Sequence, residues 1–111
     1  MSRVYISGPI TGVTDYEENF NHAEKLLRIK GHKTINPAQL YRVMPEDASF
    51  EEYMRVCIDL LELADYVVLL PGWQKSIGAN REYGYALARD MIILDLEALV
   101  GEEAKNDAGS V

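Results

Sequence analysis

"DYVVLL", residues 65–70, is the stretch that decides how this chain folds. After Asp65 come five apolar residues with no polar break. A strand with one wet face alternates apolar and polar side chains. A continuous β-branched and aliphatic run is covered on both faces, as in the interior of a parallel sheet. "PGW" (71–73) closes the run with turn residues. Working upstream, Ser49 followed by Glu52 is a capping-box pattern and predicts a helix from there to about Ala64. Downstream, the pattern predicts a helix at about 79–89 and a strand in "MIILD" (91–95). At the other end, "RVYIS" (3–7) reads as a buried strand ending at Gly8, and "PITG" (9–12) as a loop. A helix is predicted from about Asp15 to Lys30, with Phe20, Ala23, Leu26 and Leu27 on one face and Gly31 ending it. "HKTIN" (32–36) is a second short strand stopped by Pro37, and 37–49 reads as irregular.

Strand and helix alternate throughout, which implies a parallel sheet joined by right-handed crossovers with helices on both faces. The expected architecture is one three-layer α/β domain over residues 1–100. Its flavodoxin-like sheet has four or five strands, in the order 2-1-3-4. Residues 101–111 are small and polar and are expected to form a disordered tail. In such sheets a ligand binds at the carboxyl ends of the strands where the order reverses. Here that point lies between the first and third strands, where "SGPITG" (7–12) and "LLPGW" (69–73) meet.

Composition bounds the function. The chain has 111 residues, 48% of them hydrophobic, enough for one core. A net charge of −7 argues against a nucleic-acid polymer, which wants a basic face, but leaves room for one small anion held by local N–H groups. No run approaches the ~20 apolar residues of a membrane span, and "MSRVYISG" runs straight into a strand pattern without a signal peptide. Cys57 is the only cysteine, so a reducing cytoplasm is expected. No metal cluster or cofactor fingerprint is visible, and neither His22 nor His32 reads as catalytic.

The stretch "SIGANREYGYALA" (76–88) holds the main candidate. Glu82 falls in what reads as the first helical turn, where the dipole favours an acid for structural reasons alone. The same placement suits an ionised nucleophile. Ser76 is either a plain loop hydroxyl or part of an anion-holding end with the N–H groups near Gly78 and Ala79. Gly78 reads as a tight turn into the helix. Gly8 and Gly12, flanking Pro9, Ile10 and Thr11, read as a turn or as a close approach to a ligand. Asp59 lies beside the apolar stripe Tyr53, Val56, Cys57, Leu60 and Ala64, Asp65 opens the third strand, and Trp73 is either a base-stacking residue or a loop lid. Tyr5 alternates with Val4 and Ile6 and reads as core, with its hydroxyl within range of the site.

Taken together, "VYISGPITG", "ADYVVLLPGW" and "SIGANREYGYA" resemble, in order and spacing, the three signature blocks of the nucleoside 2-deoxyribosyltransferase-like superfamily. The likeness covers about residues 3–95. It is nearest to small phage- and prophage-associated members and, among those with a known reaction, to 2′-deoxynucleoside 5′-monophosphate N-hydrolases. The resemblance implies that Glu82 attacks the anomeric carbon and displaces the base, and that Tyr5 orients it. It implies that Ser76, Gly8 and Thr11 contact phosphate or sugar, with Pro9, Ile10, Gly12, Trp73 and Gly78 also lining the substrate site. A serine at position 76, where the transferases tend to carry aspartate, favours a nucleotide over a nucleoside. The family's second acid stands eight residues before the third strand's aspartate. Counting back from Asp65 lands on Cys57, and Asp59 is the nearest acid, rotated about 200° around the helix. The resemblance therefore implies either that Asp59 serves as the second catalytic acid after a local shift, or that the protein lacks that acid and is slow or inactive. The expected function is therefore a nucleotide N-glycosidase, with a non-catalytic nucleotide sensor or a deoxyribosyltransferase as alternatives. A homo-oligomer is also expected. The helix at 50–64 carries Met54, Ile58 and Leu61 beside its sheet-facing stripe, and so wide an apolar surface asks for extra cover.

Overall fold

The computed structural model describes residues 2–101. It contains β1 (Arg3–Ser7), α1 (Tyr16–Ile29), β2 (Lys33–Ile35), α2 (Phe50–Leu61), β3 (Tyr66–Leu69), α3 (Ile77–Ala88), β4 (Ile92–Asp95) and α4 (Leu96–Val100), with short 3-10 turns at Pro37–Arg42 and Trp73–Lys75. The four strands form one parallel sheet in the order β2-β1-β3-β4. This is the flavodoxin-like α/β architecture with four strands, and its order reverses between β1 and β3. One stretch departs from the sequence reading, and for another the pattern predicts no element. Residues 37–42 are a 3-10 turn started by the Asn36 side chain, which accepts from the Ala38 N–H at 3.0 Å. Residues 96–100 form a helix that packs back on the sheet through Val100. The polar tail expected from residue 101 onward lies, apart from Gly101, outside the described residues.

Alternation along the strands sends side chains into two cores. Val4, Ile6, Val68 and Leu70 pack under α1 with Phe20, Ala23, Leu26 and Leu27. Tyr5, Val67 and Leu69 pack on the other side with Cys57, Leu61 and Ala86 of α2 and α3. Register fixes this partition: Tyr5 pairs with Val67 and Ser7 with Leu69 across β1 and β3. A one-residue slip would exchange the faces. At the amino ends Asp65 ties the same two strands, accepting from the Arg3 N–H at 2.9 Å and donating its own to the Arg3 carbonyl at 2.8 Å. Asp65 is thus structural and stands at the end of the sheet opposite the carboxyl ends of the strands.

Helix α2 starts as its sequence predicts. The Ser49 Oγ accepts from the Glu52 N–H at 3.1 Å and Glu52 accepts from the Ser49 N–H at 2.8 Å. Of the expected sheet-facing stripe, Cys57 is buried and Leu60 and Ala64 pack partly buried against the same core, but Met54 and Leu61 are buried as well. Of the surface expected to need an oligomeric partner, Met54 and Leu61 are covered from within the chain and Ile58 is partly buried. The cover at Met54 is α3, whose Gly78 lies so close that an added Cβ would sit 3.3 Å from the Met54 sulfur. Gly78 is accordingly a packing residue inside α3 rather than the tight turn that its sequence context suggests.

Gly8 is explained the same way. A Cβ there would stand 2.9 Å from the Leu70 Cβ, so only glycine lets the chain leave β1 this close to β3. Gly8→Ala should destabilise the protein by about 1–3 kcal/mol through overpacking. Urea unfolding gives the value, and an unchanged midpoint would show that Leu70 gives way freely.

Candidate functional site

The sheet brings three hydroxyl- and carboxyl-bearing residues together under the carboxyl end of β1. Tyr5 and Ser7 are two apart on β1 and so point to the same face. They meet Glu82 of α3. The Tyr5 hydroxyl donates to Glu82 Oε2 at 2.6 Å and the Ser7 hydroxyl donates to Oε1 at 2.7 Å. All three are buried, Glu82 at 5% exposure. A carboxylate inside a core is costly unless its oxygens are satisfied, and here each oxygen receives a short hydroxyl bond. Burial pushes the Glu82 carboxyl above the ordinary glutamate range, and the Tyr5 and Ser7 hydrogen bonds draw it part of the way back. Burial first, and then the Glu82 charge, hold the Tyr5 hydroxyl well above its ordinary value of 10.0. Tyr5 therefore stays a donor.

Glu82 is thus placed differently from its reading as a dipole-facing acid in a first turn. α3 begins at Ile77, which puts Glu82 in the second turn, among the buried residues Ala79 and Ala86. The helix start belongs to Ser76, whose Oγ accepts from the Ala79 N–H at 3.1 Å. The Ser76 carbonyl, with those of Trp73 and Gln74, also accepts from the Asn80 side chain. Ser76 acts as a helix cap in this arrangement.

Cys57 fills the α2 side of the site. Its thiol interacts with the Tyr5 hydroxyl and feels the Glu82 charge; burial, then Glu82, push it from 9.0 up to about 11. Such a thiol is neutral and inert at ordinary pH. Because its pKa is raised on folding, it favours the folded state fully below 9 and loses that contribution as the pH climbs towards 11. Alkylation by iodoacetamide at pH 8 should therefore be slow in the native protein and rapid in urea. Equal rates in both states would contradict the burial of this thiol. Asp59 is not brought to Glu82. It is exposed, and its charge acts on Tyr85.

The other candidates line the loops. Pro9 and Ile10 are half-buried, while Thr11 and Gly12 are exposed in a turn closed by the Val13 N–H donating to the Ile10 carbonyl at 3.1 Å, with Gly12 at φ 80°. Trp73 packs on Tyr83, ring centroids 4.7 Å apart. It also walls a cleft of about 590 Å³ that runs over the carboxyl ends of β3 and β4. Pro9, Leu70, Asn19 and His22 line that cleft, with Asp95 and Glu97 on the β4 side. Glu82 is not in its lining. Its link to the cleft runs through its donor Ser7, two residues before Pro9, and its neighbour Tyr83, which packs on Trp73.

Reading the sequence missed Ser7. The available signal was a small polar residue at the buried end of the strand, in step with Tyr5. Among the described residues no group of three or more His, Cys, Asp and Glu side chains is disposed to hold a metal ion, and no helix is long and apolar enough to cross a membrane.

Residues 2–95 match the model of a family described as a domain of unknown function, DUF4406. The chain belongs to the DUF4406 family. The match runs from before β1 to the last residue of β4, so Tyr5, Ser7, Cys57 and Glu82 all lie within the DUF4406 domain. No curated protein matches the chain.

Proposed function

We propose that this protein is an N-glycosidase that cleaves the bond between base and sugar in a (deoxy)nucleoside 5′-monophosphate, with Glu82 as nucleophile. The observation that carries the proposal is the buried Glu82 carboxylate, clamped by Tyr5 at 2.6 Å and Ser7 at 2.7 Å, at the point where the strand order reverses. A fold gains nothing in stability from burying such a charge, and a buried carboxyl with a raised pKa, held by two oriented donors, is a candidate for catalysis. Tyr5 and Ser7 fix the orientation of Glu82 while each oxygen keeps a lone pair for the sugar. One oxygen attacks the anomeric carbon, the base departs, and water resolves the glycosyl ester with overall retention. The first loop, Gly8 to Gly12, and the β3 loop with Trp73 supply the surfaces for sugar phosphate and base.

The test is a panel of nucleoside 5′-monophosphates assayed for free base, with mass spectrometry of the Glu82 peptide for a trapped sugar adduct. Base release with water alone supports a hydrolase, and release only with an added acceptor base means a transferase. One observation favours a second reading, a nucleotide sensor without turnover: Cys57 stands where the resembling family places its second acid. Thermal stabilisation by nucleotides without any base release would select it. A homo-oligomer remains part of the proposal, since Ile58 on the extra apolar face of α2 is only partly buried. Light scattering at micromolar concentration tests it, and a monomeric mass removes it.

A further inference from the structure

The groups gathered around Glu82 have no proton to spare for a leaving base. Tyr5 and Ser7 already donate to the carboxylate. Cys57, buried at 7% exposure against Tyr5, closes the α2 side with a thiol instead of an acid. Asp59 is turned out to solvent. Among the described residues, no second carboxyl contributes to the environment of Glu82. The cleft over the carboxyl ends of β3 and β4, which Glu82 does not line and reaches only through Ser7 and Tyr83, has an acidic and aromatic lining. Asp95 and Glu97 line it together with the Trp73 ring, and no Lys or Arg is among its lining residues. An aromatic face with acidic neighbours suits a planar cation.

We infer that the substrates are N-glycosides whose base already carries a positive charge in the ring bonded to the sugar, such as an N7-alkylated purine nucleotide. This rests on the N-glycosidase reading above and narrows it. A neutral base must be protonated as it leaves, whereas a cationic base leaves as a neutral molecule. In the proposed step a bond forms between a Glu82 oxygen and C1′ while the C1′–N9 bond breaks. The bonding pair passes to N9 and cancels the ring charge, so no general acid takes part. Water then attacks C1′, the ester bond to Glu82 breaks with its electron pair returning to the carboxylate, and the water proton passes to solvent.

A matched pair of substrates tests this. N7-methyl-2′-deoxyguanosine 5′-monophosphate and 2′-deoxyguanosine 5′-monophosphate share sugar, phosphate and ring skeleton and differ in ring charge. General-acid catalysis contributes about 10²–10⁴-fold. An enzyme without it should release the methylated base at least about 100-fold faster than guanine, after correction for spontaneous loss. Cys57→Asp, which places a protonatable acid beside Tyr5, should narrow that ratio by about tenfold or more, whereas the similarly shaped Cys57→Asn should retain it. Equal rates on the two nucleotides in the parent protein would overturn the inference while leaving the role of Glu82 intact. Release from neither would overturn both the inference and the N-glycosidase reading. The parent ratio decides the matter even if Cys57→Asp does not fold.

Discussion

Glu82→Gln should lower base release by about a thousandfold or more while nucleotide binding changes little, because the amide keeps the shape of the side chain but cannot form a glycosyl ester. The trapped sugar adduct should vanish from the Glu82 peptide. Full activity in the variant, in a parent shown to be active, would remove Glu82 from the chemistry. Stability should move the other way. Burial raises the folded-state pKa of Glu82, so the carboxyl binds its proton more tightly folded than unfolded. Its contribution is then most favourable below the unfolded value and is lost as pH rises through the folded one. Above the folded-state value the ionised carboxylate is a net cost, because burial is the largest cause of the shift, and the neutral glutamine removes that cost. The melting temperature of Glu82→Gln at pH 7.5 should equal or exceed that of the parent, and the difference should close below about pH 4, where free glutamate also protonates. A clear loss of stability at pH 7.5 would mean that the two hydroxyl bonds outweigh desolvation.

Tyr5 is the position where fold and site are most tightly joined, and its truncation should have the largest effect on stability. It is the largest fully buried side chain, lies between Ile35 and Val67 in the sheet register, and holds Glu82. Tyr5→Ala opens a cavity and should cost about 3–5 kcal/mol, a large part of the roughly 5–15 kcal/mol typical of a domain. Tyr5→Phe keeps the ring and removes the donor from a buried charge, for about 1.5–3 kcal/mol. Because the Tyr5 bond lowers the Glu82 pKa, its loss should raise that pKa further. The acid limb of the pH–rate profile should then shift to higher pH in Tyr5→Phe. A profile that stays in place while the rate falls would assign Tyr5 to packing alone.

The sequence by itself determined the class of fold. Five apolar residues after Asp65 require cover on both faces, and the alternation of strand-like and helix-like stretches leaves little besides a parallel sheet between helix layers. Local rules also sufficed for the Ser49–Glu52 cap and for the strand at 3–7, since each depends only on neighbours a few residues away. Tertiary structure alone decided what surrounds Glu82. Read locally, it is an acid near a helix start with its charge in water. In the fold it is a buried group whose two donors come from β1, 75 and 77 residues earlier in the chain. Gly8 and Gly78 look like turn residues locally, yet their reasons are the Leu70 and Met54 side chains across the fold. Periodicity reports which face of an element is apolar and is blind to which element covers it. That is why Met54 and Leu61 read as open surface and Ser7 as an ordinary strand residue. Desolvation, which sets the pKa of Glu82 and Cys57, depends on everything packed around a group, and only the assembled sheet and helices supply it.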